Sequence, residues 1–440
     1  MSEALYEQRP LRDAVDRHIG GGTPPRQVPS YWKGNIPWAS VKDFSEQQSV
    51  ILDTEEHISA AGLHASASNL IPAQTPLVCT RMAVGRTALP LVPMAINQDV
   101  KALFPASGVS AEYLLKLMQH IQPLAEGRAV GSTVKGIRIQ EYLNIPVPLA
   151  PQKAQPIIAQ ILDTLDTAIR ESEALIDKLK AVKQGLLHDL LTRGIDANGQ
   201  LRPPQSEAPQ LYKKSPLGWI PRGWEVVEVG GVLLGIDAGW SPNCPEEPPS
   251  AGEWGVLKLS AITSGQYNSA EAKRLPSNLK PIPSLEVHAG DALLARANGV
   301  AEFVARTVVV EETPSLLMLS DKTLRLVPDQ SRLLTGHLVR AMAFEKTRQQ
   351  IGGMLNGSSG QKNISQRQIC KLMICLPSVL EQSTGDTRVN EINKHLKTES
   401  LSLGKLFELK VGLMDDLLTG RVRVTPLLES VQQDACPMEA

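Results

Sequence analysis

The sequence predicts a mixed α+β protein made of two copies of one unit, a globular domain followed by a long α-helix. Three observations predict this fold: an internal repeat of about half the chain, an apolar helix seam in both copies of the repeat, and short apolar runs upstream of each copy. Two long helices with matching seams are expected to pair as a coiled coil. Two such copies in one chain then imply an approximate two-fold axis between them.

The bulk composition fits several globular domains. A chain of 440 residues exceeds one ordinary hydrophobic core and suits two to four domains. Hydrophobic residues make up 42% and charged residues 21%, which excludes disorder throughout the chain. The formal net charge of -1 gives no support to nucleic-acid binding, since DNA-binding proteins usually carry a basic excess. A basic groove can nevertheless coexist with an acidic remainder of the surface.

Cysteine usage and the chain start predict a cytoplasmic protein without a metal site or a disulfide framework. No Cys-x-x-Cys pair occurs, and no histidines lie at zinc-finger spacing from a cysteine. The start, with Ser2 and Glu3, lacks a basic and then apolar leader, and no apolar run approaches the roughly 18 residues of a membrane span. The five cysteines are Cys79, Cys244, Cys370, Cys375 and Cys436.

The internal repeat is visible as an octamer. GLLHDLLT at residues 185–192 recurs as GLMDDLLT at residues 412–419, an offset of 227 residues. The same offset relates Gln155 to Gln382, so the whole stretch between these glutamines and the octamers aligns without a gap.

Within this stretch, apolar residues recur at alternating steps of mainly four and three, the spacing of a coiled-coil seam. Polar residues interrupt both seams at matched positions, Ser172 and Lys183 in the first copy and Glu399 and Lys410 in the second. This match favours pairing of the two helices with each other; the alternative is two amphipathic helices in separate bundles. The predicted pairing residues are Ile158, Leu162, Leu165, Ile169, Ile176, Leu179, Leu186, Leu190, Val389, Ile392, Leu396, Leu403, Leu406, Leu413 and Leu417.

Glycines mark the predicted helix ends. Gly194 and Gly420 follow the shared Leu-Leu-Thr, as expected of a C-cap. The helices are predicted to start near Gln155 and Gln382. The first would be about 57 Å long at a rise of 1.5 Å per residue, more than a globular helix requires, which is typical of a spacer or a docking rod.

A segment of domain size precedes each helix. Short apolar or alternating runs separated by glycine and proline, such as residues 77–79, 292–295, 308–310 and 323–327, predict mixed α/β domains with a strongly twisted sheet. The polar, proline-bearing run between them predicts an extended and exposed linker. The predicted boundaries are 1–150 for the first domain, 151–194 for its helix, 195–215 for the linker, 216–377 for the second domain, 378–420 for its helix and 421–440 for a tail.

The two domains open alike, with IGGGTPPR at residues 19–26 and IDAGWSPN at residues 236–243. The tryptophans lie near these openings, where we interpret them as buried aromatic anchors. They are Trp32, Trp38, Trp219, Trp224, Trp240 and Trp254.

With these motifs the chain resembles a known family, the specificity (S) subunits of type I restriction-modification systems. The resemblance covers nearly the whole chain, and the order of the motifs carries it, since each motif alone is weak. The motifs are PLGWIPRGWEVVEVG at 216–230, INQDVKALFP at 96–105, HAGDALLAR at 288–296, SDKTLRL at 320–326, GSSGQKNIS at 357–365 and the two Gly-Leu-x-x-Asp-Leu-Leu-Thr helix ends.

The resemblance implies a sequence-specific DNA-binding subunit. It implies two target-recognition domains, each reading one half of a split double-stranded DNA site, and two conserved helices that run antiparallel. It also implies two adenine methyltransferase subunits, which dock largely on the helices, and two ATP-driven restriction subunits as partners. The alternative is a structural or interaction protein with tandem globular heads on a coiled-coil rod and no DNA specificity.

The two halves also differ. The first has IPAQTPLVCTR at residues 71–81, where the second has Gly290 and Asp291 ahead of its apolar strand. The first loop, GSTVKGIRI at residues 131–139, lacks the Lys-Asn-Ile-Ser of the second. Gly385 is expected to weaken the opening turns of the second helix.

Motifs for catalysis are absent from the sequence. An adenine methyltransferase needs an Asn or Asp-Pro-Pro-aromatic loop, and the nearest string, at residues 247–249, is Glu-Pro-Pro without a following aromatic. There is no P-loop, and Asp321 with Lys322 is one carboxylate short of a nuclease site. We therefore expect a non-catalytic subunit without a cofactor, with S-adenosylmethionine, ATP and Mg on the partner subunits. An enzyme with an unrecognised motif is a further alternative.

DNA-contacting residues are expected in the loops. Fork-like donors and amides can reach base edges, while backbone amides and small hydroxyls suit phosphates. The alternatives are surface arginines paired with carboxylates and turns without function. The candidates are Arg81, Arg86, Ser132, Thr133 and Lys135 in the first domain and Arg296, Asn298, Arg306, Ser358, Ser359, Gln361 and Lys362 in the second.

Overall fold

The computed structural model describes residues 6–45, 49–357 and 360–424. The chain divides into two compact units, Met1–Ile176 with Glu399–Ala440, and Asp177–Thr398. Each unit contains one globular head and one part of each long helix. We call the described residues of 6–154 head 1 and those of 195–378 head 2.

Head 1 is built on two sheets. The strands are β1 (Gln8–Pro10), β2 (Val15–Gly20), β3 (Ile36–Ala39), β4 (Val50–Ile51), β5 (His57–Ile58), β6 (Leu70–Ile71), β7 (Leu77–Cys79), β8 (Thr87–Pro90), β9 (Met94–Ile96), β10 (Val100–Pro105) and β11 (Pro146–Pro148). The central sheet has the order β2-β10-β7-β8-β4, and the second sheet has the order β5-β3-β9-β6. A further antiparallel pair joins β1 to β11.

Helices cover the central sheet of head 1. Its helices are α1 (Ala60–His64), α2 (Ala111–His120), α3 (Gln122–Arg128) and α4 (Ile139–Leu143), and the first long helix is α5 (Gln155–Thr192). Ser110 caps α2, because its hydroxyl accepts a hydrogen bond from the backbone N–H of Tyr113 at 3.2 Å. Tyr113, Leu114 and Leu117 are fully buried, and α2 packs against β8 and β10.

Head 2 repeats this topology. The strands are β12 (Tyr212–Ser215), β13 (Gly218–Pro221), β14 (Glu225–Glu228), β15 (Leu233–Ala238), β16 (Gly255–Leu257), β17 (Ala272–Arg274), β18 (Ala292–Ala295), β19 (Ala297–Asn298), β20 (Thr307–Val309), β21 (Leu317–Met318), β22 (Thr323–Pro328), β23 (Lys362–Asn363) and β24 (Met373–Leu376). The central sheet, β15-β22-β18-β20, has the strand order of β2-β10-β7-β8, and the β14–β24 pair corresponds to β1–β11. Its helices are α6 (Ser260–Thr263), α7 (Thr335–Ala343), α8 (Glu345–Met354) and α9 (Gln366–Cys370), and the second long helix is α10 (Val379–Thr419). The predicted fold class, two mixed heads each followed by a long helix, is confirmed.

The two long helices pack against each other. Every predicted pairing residue is buried or half-buried. In the first unit, Ile158 and Leu162 of α5 share a core with Leu417 near the end of α10. In the second unit, Leu190 near the end of α5 shares a core with Val389 near the start of α10. In each unit, residues near the end of one long helix thus pack against residues near the start of the other, and the predicted packing is confirmed.

The polar interruptions of the seam make contacts in the first unit. The Ser172 hydroxyl donates a hydrogen bond to Glu399, its own counterpart in the repeat, at 2.7 Å. Lys410 forms an ion pair with Asp166, which is 12% exposed. The predicted glycine C-caps are also confirmed, with φ of 63° at Gly194 and 81° at Gly420.

The second helix starts at Val379, inside the predicted range 378–420 and three residues before Gln382, and Gly385 lies inside it. Gly385 is buried, and a Cβ there would meet Leu190 at 3.6 Å, so this glycine lies where the two helices come close.

The segment at residues 195–215 is not extended and exposed throughout, and that prediction is wrong. Ile195 and Tyr212 are buried, and the Tyr212 hydroxyl donates to the carbonyl of Pro203 at 2.6 Å. Arg202 forms a half-buried ion pair with Glu381 at the start of α10. The segment folds back because the end of α5 offers polar groups that Arg202 and Glu381 satisfy.

A buried glutamine fixes each head to its long helix. Gln155 is 4% exposed; it accepts from the backbone N–H of Ser110 at 3.4 Å and donates to the carbonyl of Ala150 at 3.0 Å. Gln382, its repeat counterpart, makes the corresponding two bonds in head 2 at 2.8 and 2.9 Å. In each head, the first bond joins the residue before a sheet-covering helix, Ser110 or Leu334, to the start of a long helix, and the second joins that start to the segment directly before it.

A buried cation adds to this attachment. Lys116 of α2 is fully buried, and its Nζ lies 2.7 Å from Asp163 and 2.6 Å from Asp166 of α5. In head 2, Arg340 of α7 forms the corresponding ion pair with Asp386 of α10. Both cations lie on a helix face that is otherwise apolar, where a charge left without its partner would be costly.

The tryptophans do not all serve as buried anchors. Trp38 and Trp224 are buried, and Trp38 Nε1 donates to the carbonyl of Gly22 at 3.0 Å. Trp219 is 44% exposed, so the interpretation is wrong for this residue. It lies on the β12–β13 hairpin with Lys214 Nζ 5.6 Å from its ring.

Within the described residues, no helix is long and apolar enough to cross a membrane. The same residues contain no group of three or more His, Cys, Asp or Glu side chains placed to hold a metal ion.

Candidate nucleic-acid interface

Four loops of head 1 meet at one edge of the central sheet. The sheet register places the end of β2 beside the start of β10, with Gly20 opposite Lys101, and the end of β7 beside the same strand, with Cys79 opposite Val100. The start of β8 lies beside β7 in turn. We call the loops at this end, residues 21–26, 80–86 and 97–99 together with 130–137, edge 1.

The fourth loop of edge 1 comes from far along the chain. Residues 130–137 form a small hairpin that docks on the end of β7, where Ile137 N donates to the carbonyl of Thr80 at 2.9 Å. Arg81 forms a β-bridge with Gly136, and Met82 N donates to the carbonyl of Lys135 at 2.9 Å. The hairpin thereby brings the predicted residues Ser132, Thr133 and Lys135 next to the loop that carries Arg81 and Arg86.

Head 2 has the corresponding edge. Ala238 at the end of β15 lies opposite Leu324 in β22, and Ala295 at the end of β18 lies opposite Thr323. The β19–β23 pair brings the loop before α9 to the same place, since Asn298 lies opposite Lys362. We call residues 239–243, 296–306 and 320–322, together with 356, 357 and 360–363, edge 2.

A glycine is required at the start of each edge. A Cβ at Gly21 would overlap the backbone of Ile96 and Asn97, and a Cβ at Gly239 would overlap the backbone of Leu319 and Ser320. The backbone that follows β2 or β15 passes so close to the neighbouring turn that only glycine fits at this position.

The predicted residues of head 1 all lie at edge 1. Ser132, Thr133 and Lys135 are exposed in the hairpin. The Arg81 side chain is 56% exposed, and its Nη1 lies 3.3 Å from Asp99 Oδ1 in the adjacent turn. Arg81 therefore has an ion pair that steadies it and a surface that solvent or a ligand can reach.

The predicted residues of head 2 that the structure describes lie at edge 2. Arg296 is exposed, and its side chain has no hydrogen-bond or ion-pair partner among the described residues. Lys362 Nζ donates to the carbonyl of Gly357 at 3.0 Å, and Asn298 Oδ1 accepts from Val300 N at 2.9 Å. Gln361 is exposed, whereas Ser358 and Ser359 lie outside the described residues.

Arg86 and Arg306 occupy corresponding places, and their guanidinium groups make contacts inside the head. Arg86 Nη1 donates to the carbonyl of Phe44 at 3.4 Å. Arg306 Nη1 donates to the carbonyl of Thr263 at 2.6 Å, and its guanidinium carbon lies 4.6 Å from the centre of the Phe303 ring. Through these contacts, Arg86 attaches the β7–β8 hairpin and Arg306 attaches the β18–β20 hairpin to neighbouring segments of the same head.

Sequence reasoning did not select the turn before β10 at edge 1 or the turn before β22 at edge 2 as a site of DNA contact. In head 1 this turn carries Gln98, whose side chain accepts from Thr23. In head 2 it carries Asp321, which accepts from Ser241, followed by the exposed Lys322. The signal that could have found them is a hydroxyl residue and proline after the glycine of each domain opening, together with polar residues directly before an apolar strand.

The two edges share a backbone and differ in charge. Thr80 N donates to the carbonyl of Asp99 at 2.7 Å, and Arg296 N donates to the carbonyl of Lys322 at 2.8 Å. An acidic residue at one edge is thus replaced by a basic one at the other. At edge 1, burial lowers the pKa of Lys101, whose Nζ donates to the carbonyl of Gln98 at 2.7 Å.

Comparison with known proteins agrees with the motifs. Residues 5–181 match the family model of the type I restriction modification DNA specificity domain. A 245-residue stretch is 34% identical to the EcoEI type I restriction enzyme specificity subunit of Escherichia coli, covering 50% of this chain and 40% of the relative. A second stretch is 27% identical to the MjaIX specificity subunit of Methanocaldococcus jannaschii, over 55% of this chain and 54% of the relative. Each match thus spans about half or less of the relative.

The fold has solved counterparts. The structure of a type I restriction-modification S subunit from M. genitalium superposes with a TM-score of 0.60 at 13% identity, covering 95% of this chain and 97% of that one. The resemblance stated from the motifs is therefore confirmed: residues 5–181 match the type I restriction modification DNA specificity domain, and the chain is similar in sequence to type I restriction enzyme specificity subunits.

Proposed function

We propose that this chain recognises a split double-stranded DNA site, with edge 1 reading one half-site and edge 2 the other. One observation carries the proposal: two heads of the same topology present equivalent loops at the same sheet edge, with different polar side chains on them. Two domains that recognise different DNA sequences need the same backbone framework with different side chains on the DNA-contacting loops.

The edges supply the groups that DNA recognition uses. Arg296 and Arg81 are exposed forks able to contact guanine in the major groove. Lys135 lies on the hairpin beside Arg81 at edge 1, and Lys362 lies on β23 beside Arg296 at edge 2. Both lysines suit contacts with phosphates, as do the hydroxyls of Ser132 and Thr133. The net charge of -1 for the whole chain makes partner subunits the source of much of the phosphate neutralisation.

We further propose that the chain acts as a non-catalytic subunit. Two methyltransferase subunits would dock largely on α5 and α10, and two restriction subunits would join through them, in the cytoplasm. S-adenosylmethionine, ATP and Mg would be held by these partners, and this chain would hold no cofactor. Support comes from the specificity-subunit relatives and from the missing catalytic motifs in the sequence.

Methylation mapping tests the proposal. The chain is expressed with its methyltransferase subunit in cells without other adenine methylation, and modified sites are located by single-molecule sequencing. We expect methylation at two short defined sequences separated by unspecified base pairs. The purified chain alone should methylate and cleave nothing.

Two results would contradict the proposal. Robust methylation or cleavage by the isolated chain, with contamination excluded by mass spectrometry, would show an enzyme. Absence of any sequence preference in duplexes bound by the complex would instead support the tandem-head structural protein.

A further inference from the structure

A hydroxyl holds an exposed polar side chain at the same position of both edges. In head 1, the Thr23 hydroxyl donates to Gln98 Oε1 at 2.6 Å. In head 2, the Ser241 hydroxyl donates to an Asp321 carboxylate oxygen. Thr23 and Ser241 are the third residues after β2 and β15, and Gln98 and Asp321 each lie two residues before the next strand of the sheet.

The fold leaves most of the hydrogen-bonding capacity of these two side chains unused. Gln98 is exposed, and within the described part of the chain its amide contacts, apart from Thr23, only Asp99 Oδ2, at 3.5 Å, the limit of a hydrogen bond. Asp321 is exposed, and among the described residues only Ser241 contacts its carboxylate. A hydroxyl that orients a side chain towards solvent lowers the entropy cost of a later contact.

The chemistry of the two groups differs in a way that matches different bases. An amide presents an acceptor and a donor side by side, the pattern that pairs with N6 and N7 of adenine. A carboxylate presents acceptors only, the pattern that accepts from N4 of cytosine. One oxygen lone pair of each group is taken by the hydroxyl, and the remaining positions suffice for these contacts.

We propose that Gln98 and Asp321 are base-reading residues, Gln98 reading an adenine in one half-site and Asp321 a cytosine in the other, with Thr23 and Ser241 as their positioning residues. This inference rests on the proposed DNA-reading function and assigns it to a position in each edge.

The test uses Gln98→Glu and Asp321→Asn in the full chain assembled with its methyltransferase subunit. Duplexes bound from a random pool are sequenced, so base preference is measured without requiring methylation. Gln98→Glu should change preference at one position of one half-site from adenine to cytosine, and Asp321→Asn should change one position of the other half-site from cytosine to adenine. The native preference should fall about ten-fold or more, the size of one bidentate base contact.

Matched controls lie at the opposite end of the same sheets. Gln74 is an exposed glutamine in the turn before β7, and Asp329, which follows β22, accepts from Ser331 as Asp321 accepts from Ser241. Gln74→Glu and Asp329→Asn should leave every base preference unchanged. A variant that binds DNA as well as the native complex is thereby shown to be folded.

Unchanged base preference in both site variants would overturn the inference while the split site stays intact, so the proposed function would survive. If Gln98→Glu binds no duplex, Thr23→Val decides, because it only frees the Gln98 amide. Thr23→Val should broaden preference at the adenine position alone, and an unchanged preference there overturns the inference. A native complex without a split site would instead refute the proposed function.

Discussion

Replacing Lys116 with methionine should weaken the attachment of α2 to α5 by about 3 kcal/mol. Methionine keeps most of the length of the buried stem but removes the ammonium, which lies 2.7 Å from Asp163 and 2.6 Å from Asp166. Breaking a buried ion pair by removing one partner costs about 3–5 kcal/mol, because the other charge stays in the interior.

The lower end of this range applies because neither carboxylate is left fully uncompensated. The Asp163 side chain is 51% exposed and can be hydrated again, while Asp166 keeps its ion pair with Lys410. Adding Asp166→Asn to Lys116→Met removes the carboxylate that lost one of its two cationic partners, so the double variant should be less destabilised than the sum of its single changes.

Hydrogen exchange measured by mass spectrometry on the full chain resolves the effect locally. Protection of amides in α2 should fall by about 100-fold, the factor that corresponds to about 3 kcal/mol. Amides of α7, where Arg340 pairs with Asp386, provide the control within the same molecule and should stay protected. Equal protection of α2 in the native and Lys116→Met chains would refute the argument that this buried pair holds head 1 to its helix.

Three further predictions follow from single sites. Gly194→Ala should lower the free energy of unfolding by more than about 1 kcal/mol, because φ at this residue is 63° and a Cβ would overlap neighbouring side chains. Gly185→Ala, which adds a Cβ in open space inside α5, should instead raise the free energy of unfolding by about 0.5–1 kcal/mol. Chemical denaturation of both variants measures the difference. Arg296→Ala should weaken DNA binding by the assembled complex by about 1–3 kcal/mol, as measured by fluorescence anisotropy, while Lys214→Ala on the β12–β13 hairpin should not; equal affinities would remove Arg296 from the interface. Burial raises the pKa of Asp166, but Lys116 and Lys410 lower this pKa more, so it lies below its ordinary value. The ionised Asp166 should therefore contribute its full stabilisation above about pH 4, and this stabilisation should disappear as the pH falls through the lowered pKa. Constant hydrogen-exchange protection of α2 during an acid titration would contradict this prediction.

The candidate site was only partly visible in the sequence. Arg81 and Lys135 could be selected separately as basic loop residues, but their proximity depends on the bridge between Arg81 and Gly136, which joins segments more than 50 residues apart. The pairing of Thr23 with Gln98 depends on the register of β2 and β10. A side chain's neighbours across a sheet follow from strand pairing, and a single sequence does not specify it.

The departure of head 1 from the Gly-Asp pattern shows the same limit. Gln74 has φ of 62°, and its N–H donates to the carbonyl of Pro90 at 2.8 Å, as the N–H of Gly290 does to Val310. The backbone conformation is therefore conserved between the heads although the residue is not. The sequence indicated an asymmetry, whereas the surrounding strands hold Gln74 in a conformation that glycine adopts more easily.

The sequence by itself determined the repeat, the seam residues of both long helices and their glycine caps, because helix periodicity and capping depend on residues three to seven positions apart. It also carried the family resemblance. Only the tertiary structure decided that residues 195–215 fold back, that Lys116 is buried beside Asp163 and Asp166, and that four loops meet at each edge. These features join residues distant along the chain, so their energies arise from packing and charge pairing that local sequence patterns do not encode.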